Sequence, residues 1–255
     1  MAQTQKMYLG DTPIGITRFG EHGNTINGAF PYALAIDYLV VAGGASAGTG
    51  TYQGGGGGGG VITGSLFAPI ASYSLVVGDA GRVTTSPFNI DGGNSTAFGL
   101  TAIGGGGGAT GTGTQNGRDG GSGGGGANGG TGGTGLQPGS TDGGLGNNGA
   151  SAASSQDGAG GGAGAAGSGN TGGAGLTINF DGTGNKEYGV GGGTDRSIYS
   201  GAGGSYTLED GRVGEIWLKY QSATQLATGG TVTSGGGYYY HRFVGAGSST
   251  FTVTG

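Results

Sequence analysis

The sequence GGGGGGG occupies residues 54–60 and is the longest of several glycine runs. Glycine fills 75 of the 255 positions and proline 5. Together they make up about 31% of the chain, more than the roughly 25–30% at which low complexity or disorder is expected. However, the formal net charge is only −5, and the chain contains 12 tyrosines, 8 phenylalanines and 1 tryptophan. Disordered chains usually carry high net charge and few aromatic residues, so we expect this chain to fold.

An ordered glycine run needs a regular backbone arrangement, because it has no side chains to pack. Fixing one residue costs roughly 1–2 kcal/mol, and glycine loses more conformational freedom than any other residue. Collagen is excluded, since it needs glycine at every third position and abundant proline. The alternative is a bundle of extended helices with three residues per turn, which bond to their neighbours rather than internally. The sequence therefore predicts packed helices of the polyglycine II type.

Residues 104–175 are the second region that predicts such a bundle. They contain 34 glycines in 72 residues, no aromatic residue and one proline. The segment GGTGGTG at 129–135 has a period of three, which places Thr131 and Thr134 on one outward edge of a threefold helix. We expect parallel and antiparallel helices that are hydrogen-bonded to one another. Almost no α-helix is expected, because each glycine disfavours it by about 1 kcal/mol.

Apolar segments between the glycine runs predict β-strands. The clearest are residues 36–42, 61–63, 72–77, 98–103, 214–220 and 238–244, with further candidates at 6–9 and 14–19. The expected fold class is all-β, with β-sandwich elements and an inserted bundle of polyglycine II helices. The expected domains are an N-terminal β or attachment segment at 1–35, a glycine-rich β-sandwich and polyglycine II domain at 36–220, and a C-terminal β segment at 221–255.

Composition argues against several classes of function. The absence of cysteine excludes disulfides and thiolate metal sites. Residues 1–10 do not resemble a signal peptide, and no apolar stretch approaches the roughly 20 residues of a membrane span. Nucleic acid is not an expected partner, because the pI is near 4.7 and there is no basic patch. We expect no cofactor and no membrane insertion.

The acidic residues do not form a recognisable metal or catalytic pattern. Four aspartates, at positions 91, 119, 142 and 157, lie beside glycine without calcium-loop spacing, and we interpret them as turn formers, with a surface ion as the alternative. The segment GASAG at 44–48 matches a nucleophile elbow around Ser46, but an elbow must open a helix and residues 49–60 are mostly glycine. Neither His22 nor His241 is placed near it by the sequence. We therefore expect no metal site, no catalytic residues and no enzymatic activity.

The aromatic run at residues 238–243 is the most distinctive candidate site. In a strand, Tyr239, His241 and Phe243 share one face, and Tyr238, Tyr240 and Arg242 share the other. One interpretation is that the first face packs in the core and the second lies on an exposed or subunit surface. The other is a saccharide-binding face. We take Tyr238, Tyr240 and Arg242 as the candidate receptor or subunit contact.

The last residues of the chain form a second candidate contact. Phe251 and Val253 alternate with threonines, so one apolar face needs a cover. We expect residues 250–254 to pair with a strand edge, within their own sandwich or in an adjacent subunit, and Phe251 to be buried. The alternative is a frayed terminus.

Several segments, taken in order, closely resemble the glycine-rich domain common in bacteriophage tail and appendage proteins. They are IDYLVVAGG at 36–44, GGGGGGGVI at 54–62, SYSLVVG at 72–78, GNSTAFG at 93–99 and EIWLKY at 215–220. GGTVT at 229–233, YHRF at 240–243 and TFTV at 250–253 resemble another element of these proteins, and KMYLGDTPIG at 6–15 resembles short phage segments. In that pattern the element resembling 240–253 usually precedes the strand resembling 37–42, so either the order here is permuted or a second module has begun and stopped.

This resemblance implies a virion protein of the polyglycine II type, part of a tail fibre or related appendage that contributes to host attachment. A head or neck decoration protein is the alternative. A polysaccharide depolymerase is less favoured, and it would need an acidic pair about 5–10 Å apart in a groove. The implied partners are other virion proteins, further copies of the chain with a trimer favoured, and a host surface glycan or protein. The expected location is the virion, after synthesis in the host cytoplasm and release by lysis.

Overall fold

The computed structural model describes residues 33–83, 90–111, 113–194, 200–206 and 210–254, together with the strand backbone of 7–9 and 12–14. The chain divides into two compact units, Met1–Pro31 and Tyr32–Gly255. In the first unit, β1 (Met7–Leu9) pairs antiparallel with β2 (Thr12–Ile14). The strand predicted at residues 14–19 lies outside the described residues, except for Ile14.

The second unit contains two five-stranded antiparallel sheets. Sheet 1 has the spatial order β14 (Thr231–Gly235), β15 (Tyr238–Val244), β12 (Glu215–Gln221), β3 (Ala33–Val41) and β5 (Val61–Pro69). Sheet 2 has the order β13 (Ala227–Thr228), β16 (Gly247–Val253), β6 (Ser72–Val77), β7 (Ser95–Ala97) and β8 (Leu100–Ala102). Two short pairs complete the strands: β4 (Tyr52–Gln53) with β9 (Thr110–Gly111), and β10 (Leu176–Ile178) with β11 (Lys186–Tyr188).

The described residues contain no α-helix, and the single helical turn among them is the 3₁₀ turn Gln137–Gly139. The all-β fold class is therefore confirmed. Strands β6 and β15 have the predicted bounds, whereas β5 extends six residues beyond the predicted 61–63. Residues 221–255 contribute strands to both sheets, because β15 pairs with β12 and β16 pairs with β6.

The core lies between the two sheets. Alternate residues of sheet 1, such as Val40 and Leu218, pack in one buried cluster with Leu75 and Phe251 of sheet 2. This follows from the strand period of two, which directs every second side chain to the same face. Burial of each large aliphatic or aromatic side chain contributes roughly 1.5–3 kcal/mol, so the sandwich supplies the hydrophobic stabilisation that the glycine runs lack.

The strand predicted at 98–103 is wrong at its beginning. Phe98 and Gly99 have φ angles of 53° and 81° and form the two-residue turn between β7 and β8, where Ala97 pairs with Leu100. Turns of this left-handed kind are favoured in tight hairpins because they match the twist of the strands. The Phe98 ring packs on Tyr73, with centroids 5.0 Å apart. Its apolar side chain made it look like a strand residue.

Residues 54–60, here called the central glycine helix, are hydrogen-bonded with a period of three. Their seven amides all donate to backbone carbonyls, and the acceptors fall into three groups. Residues 54, 57 and 60 bond to residues 109, 106 and 103; residues 55 and 58 bond to 158 and 161; residues 56 and 59 bond to 204 and 201. A helix with three residues per turn presents every third amide to the same neighbour. The arrangement is therefore that of polyglycine II.

The carbonyls of the central glycine helix add three more neighbours. Residues 42, 45 and 48 donate to the carbonyls of 60, 57 and 54; residues 122 and 125 donate to 58 and 55; residue 192 donates to 56. Six segments therefore surround the central glycine helix, and all seven of its residues are buried. Close approach requires glycine, since a Cβ added at Gly57 would lie 2.1 Å from the carbonyl oxygen of Ser122.

The sheet and the bundle are continuous. Strands β3 and β5 pair up to Val41 and Val61, and the same two segments then remain bonded through Ala42 and Gly60, at 3.0 Å. Beyond this point the bonded residues on each segment are three apart instead of two. The sandwich thus fixes the register of the glycine segments that extend from its strands.

The predicted bundle at residues 104–175 is confirmed. Successive bonds again advance by three residues, as in Gly123 to Asn147 and Gly126 to Ala150, at 2.9 and 3.0 Å. On the outermost helix, Thr131 and Thr134 accept amide hydrogen bonds from residues 117 and 120, and both threonines are exposed. Their outward edge is therefore where the period of three placed it.

The four glycine-flanked aspartates hold backbone amides of distant segments. Each accepts one long-range amide hydrogen bond: Asp91 from Gly107 at 2.8 Å, Asp119 from Thr134 at 2.6 Å, Asp142 from Thr101 at 2.9 Å, and Asp157 from Gln53 at 2.7 Å. The interpretation as turn formers is correct for Asp142 and wrong for the other three, which lie outside turns. At Gly107 and Thr134, which lie in glycine segments, the carboxylate takes the place of a carbonyl from a neighbouring helix.

Candidate functional site

Strand β15 divides its side chains between the core and the surface. His241 and Phe243 are buried, and the Tyr239 ring stacks on Tyr220 with centroids 5.8 Å apart. Tyr238 and Tyr240 point to the opposite face of sheet 1, where both are half-buried, and Arg242 is exposed there. The structure therefore brings the three candidate contact residues together on one face.

This face, here called the outer aromatic face, comprises Tyr238, Tyr240 and Arg242 of β15, Trp217 and Lys219 of β12, and Phe180 and Lys186 from the β10–β11 region. The register between β12 and β15 explains why their side chains share this face, because Arg242 pairs with Trp217 and Tyr240 pairs with Lys219. Directly opposite residues in an antiparallel pair lie on the same face. Trp217 and Phe180 are the buried part of this face, in a second apolar cluster that also contains Tyr188.

Each cation of the outer aromatic face lies against an aromatic ring. The Arg242 guanidinium and the Lys186 ammonium are 5.2 and 5.4 Å from the centroid of Trp217. The Lys219 ammonium is 4.7 Å from the centroid of Phe180 and 5.6 Å from that of Tyr238. Such contacts are attractive because the ring face carries partial negative charge. They hold the long side chains in defined positions on the sheet.

Buried carboxylates fix two of these cations from below. Arg242 forms an ion pair with Glu215, which also accepts a 2.7 Å hydrogen bond from Ser200. Lys186 forms an ion pair with Asp181. Burial alone would raise the pKa of Asp181, but hydrogen bonds from Lys186 and Thr183 outweigh it and hold that pKa below its ordinary value. This carboxylate therefore stays ionised and keeps Lys186 in place.

The Tyr240 phenol is a hydrogen-bond donor at neutral pH. Its pKa is raised above the ordinary value by burial, and further by the neighbouring Tyr238 and Asp181. A protonated hydroxyl can both donate and accept hydrogen bonds. The exposed threonines Thr231 and Thr233 of the edge strand β14 lie opposite Arg242 and Tyr240, so hydroxyl groups border the aromatic rings. The face can offer ring stacking, hydroxyl contacts and a cation together.

The other candidate contact lies in the core of the sandwich. Phe251 and Val253 belong to β16, which pairs with β6 on one side and β13 on the other, all within the chain. Phe251 is fully buried, and its ring meets His241, Phe98 and Phe243 edge to face. Pairing of residues 250–254 within the same sandwich, with Phe251 inside, was one of the two arrangements that we expected.

Sequence reasoning missed part of the outer aromatic face. Alternation in β12 gives a signal for Trp217 and Lys219, because they share a face with Glu215. Phe180 and Lys186 come from a segment without clear periodicity, and only the folded chain places them there. Ser46 of the elbow-like segment is buried and exchanges hydrogen bonds with the backbone of Ile90, at 3.1 and 3.4 Å.

Within the described part of the chain, no group of three or more His, Asp or Glu residues is arranged to hold a metal ion. None of the described helical segments has the length and apolar character needed to cross a membrane. No curated protein and no solved structure matches the chain. A family model described as a glycine-rich domain matches residues 21–254. This match spans nearly the whole sequence, and the chain therefore belongs to the glycine-rich domain family.

Proposed function

We propose that the protein is a structural component of a bacteriophage virion, in a tail fibre or related appendage that contributes to host attachment. The ordered motifs at residues 36–44, 54–62, 72–78 and 215–220, which resemble those of phage appendage proteins, support the viral setting. The observation that carries the structural role is the central glycine helix with its six bonded neighbours.

A bundle of this kind suits a scaffold because it is held by the backbone. Its interior glycines leave no room for side chains, as at Gly125, where an added Cβ would lie 1.6 Å from the carbonyl oxygen of Gly158. Close packing of hydrogen-bonded backbone resists deformation. Side chains are left to the outer surfaces, where they can contact a host or another virion protein. We therefore favour an appendage, with a head or neck decoration protein as the competing assignment.

Association with further copies is part of this proposal. Phe67 and Ile70 are 59% and 45% exposed at the β5–β6 end of the sandwich, beside a cavity of about 400 Å³ lined by Leu66, Tyr73 and Phe98. Exposed apolar groups of this kind favour association, and homo-oligomers usually have closed symmetry. We expect a trimer, seen in sedimentation equilibrium as three times the chain mass of 24.0 kDa. Replacing Phe67 and Ile70 by serine should shift it to monomer, and a monomeric parent chain would contradict this part of the proposal.

Location in the particle tests the function most directly. Antibodies raised against the purified chain would be used for immunogold electron microscopy of purified phage particles from the source lysate. We expect label on tail fibres or related appendages, and peptides of the chain in mass spectra of the same particles. Label on the head or neck would overturn the appendage assignment in favour of a decoration protein. Absence of the peptides from the particles would overturn the virion role.

A further inference from the structure

The outer aromatic face holds three cations, and each of them is paired with a carboxylate of the chain. Lys186, Lys219 and Arg242 are three of the chain's 9 basic residues, although the net charge is −5. The cations are the exposed members of two ion pairs: the Arg242 side chain is 45% exposed and its partner Glu215 only 3%, while Lys186 is 41% exposed and Asp181 only 9%. Solvent therefore meets the positive ends of these two pairs, whereas in the third pair Asp37 is 45% exposed and Lys219 23%.

Two tyrosine rings stand beside these cations at a fixed spacing. The centroids of Tyr238 and Tyr240 are 6.2 Å apart, and their planes are tilted by 39°. Lys219 contacts the ring of Tyr238 and pairs in register with Tyr240, so both rings are supported from the neighbouring strand. Tyrosines held on a strand present a large contact area with little conformational entropy left to lose on binding. The contacts of Lys219 thus position both rings before any ligand binds.

We propose that the outer aromatic face binds a saccharide that carries carboxylate or phosphate groups. The rings of Tyr238 and Tyr240 lie against the apolar faces of sugar rings, and the hydroxyls of Thr231 and Thr233 contact sugar hydroxyls. The guanidinium of Arg242 meets the anionic group, since its planar fork matches a carboxylate or phosphate. The saccharide would be the ligand that the chain binds during the proposed host attachment. Only this biological role of the binding rests on the proposed function.

Charge distinguishes this ligand from nucleic acid. A nucleic acid carries one negative charge at every nucleotide, and its affinity depends on many basic contacts. The face offers three cations, each already paired with a carboxylate, so a ligand with sparse negative charges fits better. A neutral saccharide would use the rings and hydroxyls but leave Arg242 without an anion.

The single tryptophan makes binding measurable on the intact protein. Trp217 lies 5.2 Å from the Arg242 guanidinium, so its fluorescence should change when an anion binds there. The probes would be a hyaluronan hexasaccharide, which has one carboxylate for every two sugars, its methyl-esterified neutral form, a phosphorylated oligomannoside and a twelve-nucleotide dT strand. We expect an acidic saccharide to bind at least about tenfold more tightly than the neutral ester, and to weaken as salt screens the charges. Comparing the affinities of the carboxylate and phosphate probes then shows which of the two anionic groups the face binds.

Variants locate the site. Tyr240→Ala and Arg242→Gln should each weaken binding at least about tenfold. Arg82→Gln, a like substitution at a surface ion pair elsewhere, should have no effect.

Because Arg242→Gln leaves Glu215 unpaired, Arg242→Lys and Tyr238→Ala are included and folding is checked by thermal melting. Equal binding by folded face variants, tighter binding of the neutral ester or of dT, or no binding of either acidic saccharide would overturn the inference. None of these results would alter the location of the chain in the particle.

Discussion

The amide of Gly57 donates a 2.8 Å hydrogen bond to the carbonyl oxygen of Gly106, deep in the glycine bundle. One turn away on each side, Gly54 and Gly60 bond to Ala109 and Ile103 of the same neighbouring segment. The two segments are thus antiparallel and meet once in every three residues, as expected for helices with three residues per turn.

Alanine at Gly57 should disrupt this contact. Its Cβ would lie 2.1 Å from the carbonyl oxygen of Ser122, and buried backbone cannot move without breaking other bonds. We expect Gly57→Ala to lower the free energy of unfolding by more than about 3 kcal/mol, measured by urea denaturation. Gly113→Ala is the matched control, because a Cβ there has no neighbour within 4 Å, and it should change stability by less than about 1 kcal/mol. Equal stability of the two variants would show that the bundle is not closely packed.

Loss of a surface carboxylate should weaken the edge of the bundle. Asp157 accepts the amide of Gln53 at 2.7 Å, next to the central glycine helix. We expect Asp157→Leu to cost about 1–2 kcal/mol, because the amide loses its acceptor in a partly buried position. Asp157→Asn keeps an oxygen at this place and should cost less than half as much. If the asparagine variant were as unstable as the leucine variant, hydrogen bonding to Gln53 would not be the role of Asp157.

The sequence was informative where the local composition was clear. The apolar segments at 72–77 and 238–244 predict β6 and β15 to the residue, and the period of three at 129–135 predicts the exposed edge of Thr131 and Thr134. Phe98 was assigned to a strand because its side chain is apolar. Apolarity is only an average guide to conformation, and the backbone of Phe98 is set by the two-residue loop.

Two sets of contacts could not be predicted from the sequence. They are the amide hydrogen bonds of the glycine-flanked aspartates and the placement of Phe180 and Lys186 on the outer aromatic face. Asp157 and Gln53 are 104 positions apart, and no local pattern relates them. Likewise, Phe180 meets Lys219 only because the segment between β10 and β11 lies over sheet 1. Glycine segments of nearly identical sequence do not specify which neighbours they bond to, so such contacts depend on the whole bundle.

Burial of His241 should make stability depend on pH. Burial lowers the pKa of this imidazole below its ordinary value of 6.5, against the opposing effect of its hydrogen bond to the Gly229 carbonyl. The unfolded chain therefore takes up a proton that the folded protein excludes. The free energy of unfolding should fall as pH drops through 6.5 and continue to fall until the lowered pKa is reached, by at most about 1.4 kcal/mol per pH unit.

Denaturation between pH 8 and pH 5 would measure this effect. The control is His241→Gln, which cannot titrate in this range, so its stability should change less between pH 7 and pH 5 than that of the parent chain. The same pH dependence in both proteins would mean that His241 is not its source.

The last strand should be essential to the sandwich. Phe251 is fully buried among the rings of His241, Phe98 and Phe243. We expect Phe251→Ala to cost about 3–5 kcal/mol, because it removes an aromatic ring from the core and leaves a cavity. Thr250→Ala, at an exposed position of the same strand, should cost less than about 1 kcal/mol. Unchanged stability after deletion of residues 248–255 would show that the strand contributes nothing to the fold.

Scalar couplings across hydrogen bonds, measured by NMR on the isotopically labelled protein, test the threefold glycine bundle most directly. The amide nitrogens of Gly54, Gly57 and Gly60 should couple to the carbonyl carbons of residues 109, 106 and 103, while those of residues 55 and 58 couple to 158 and 161. Partners that advance by three residues on each of several neighbours are the result predicted for polyglycine II. Partners that advance by two along one neighbour, or no couplings from residues 54–60, would contradict the account.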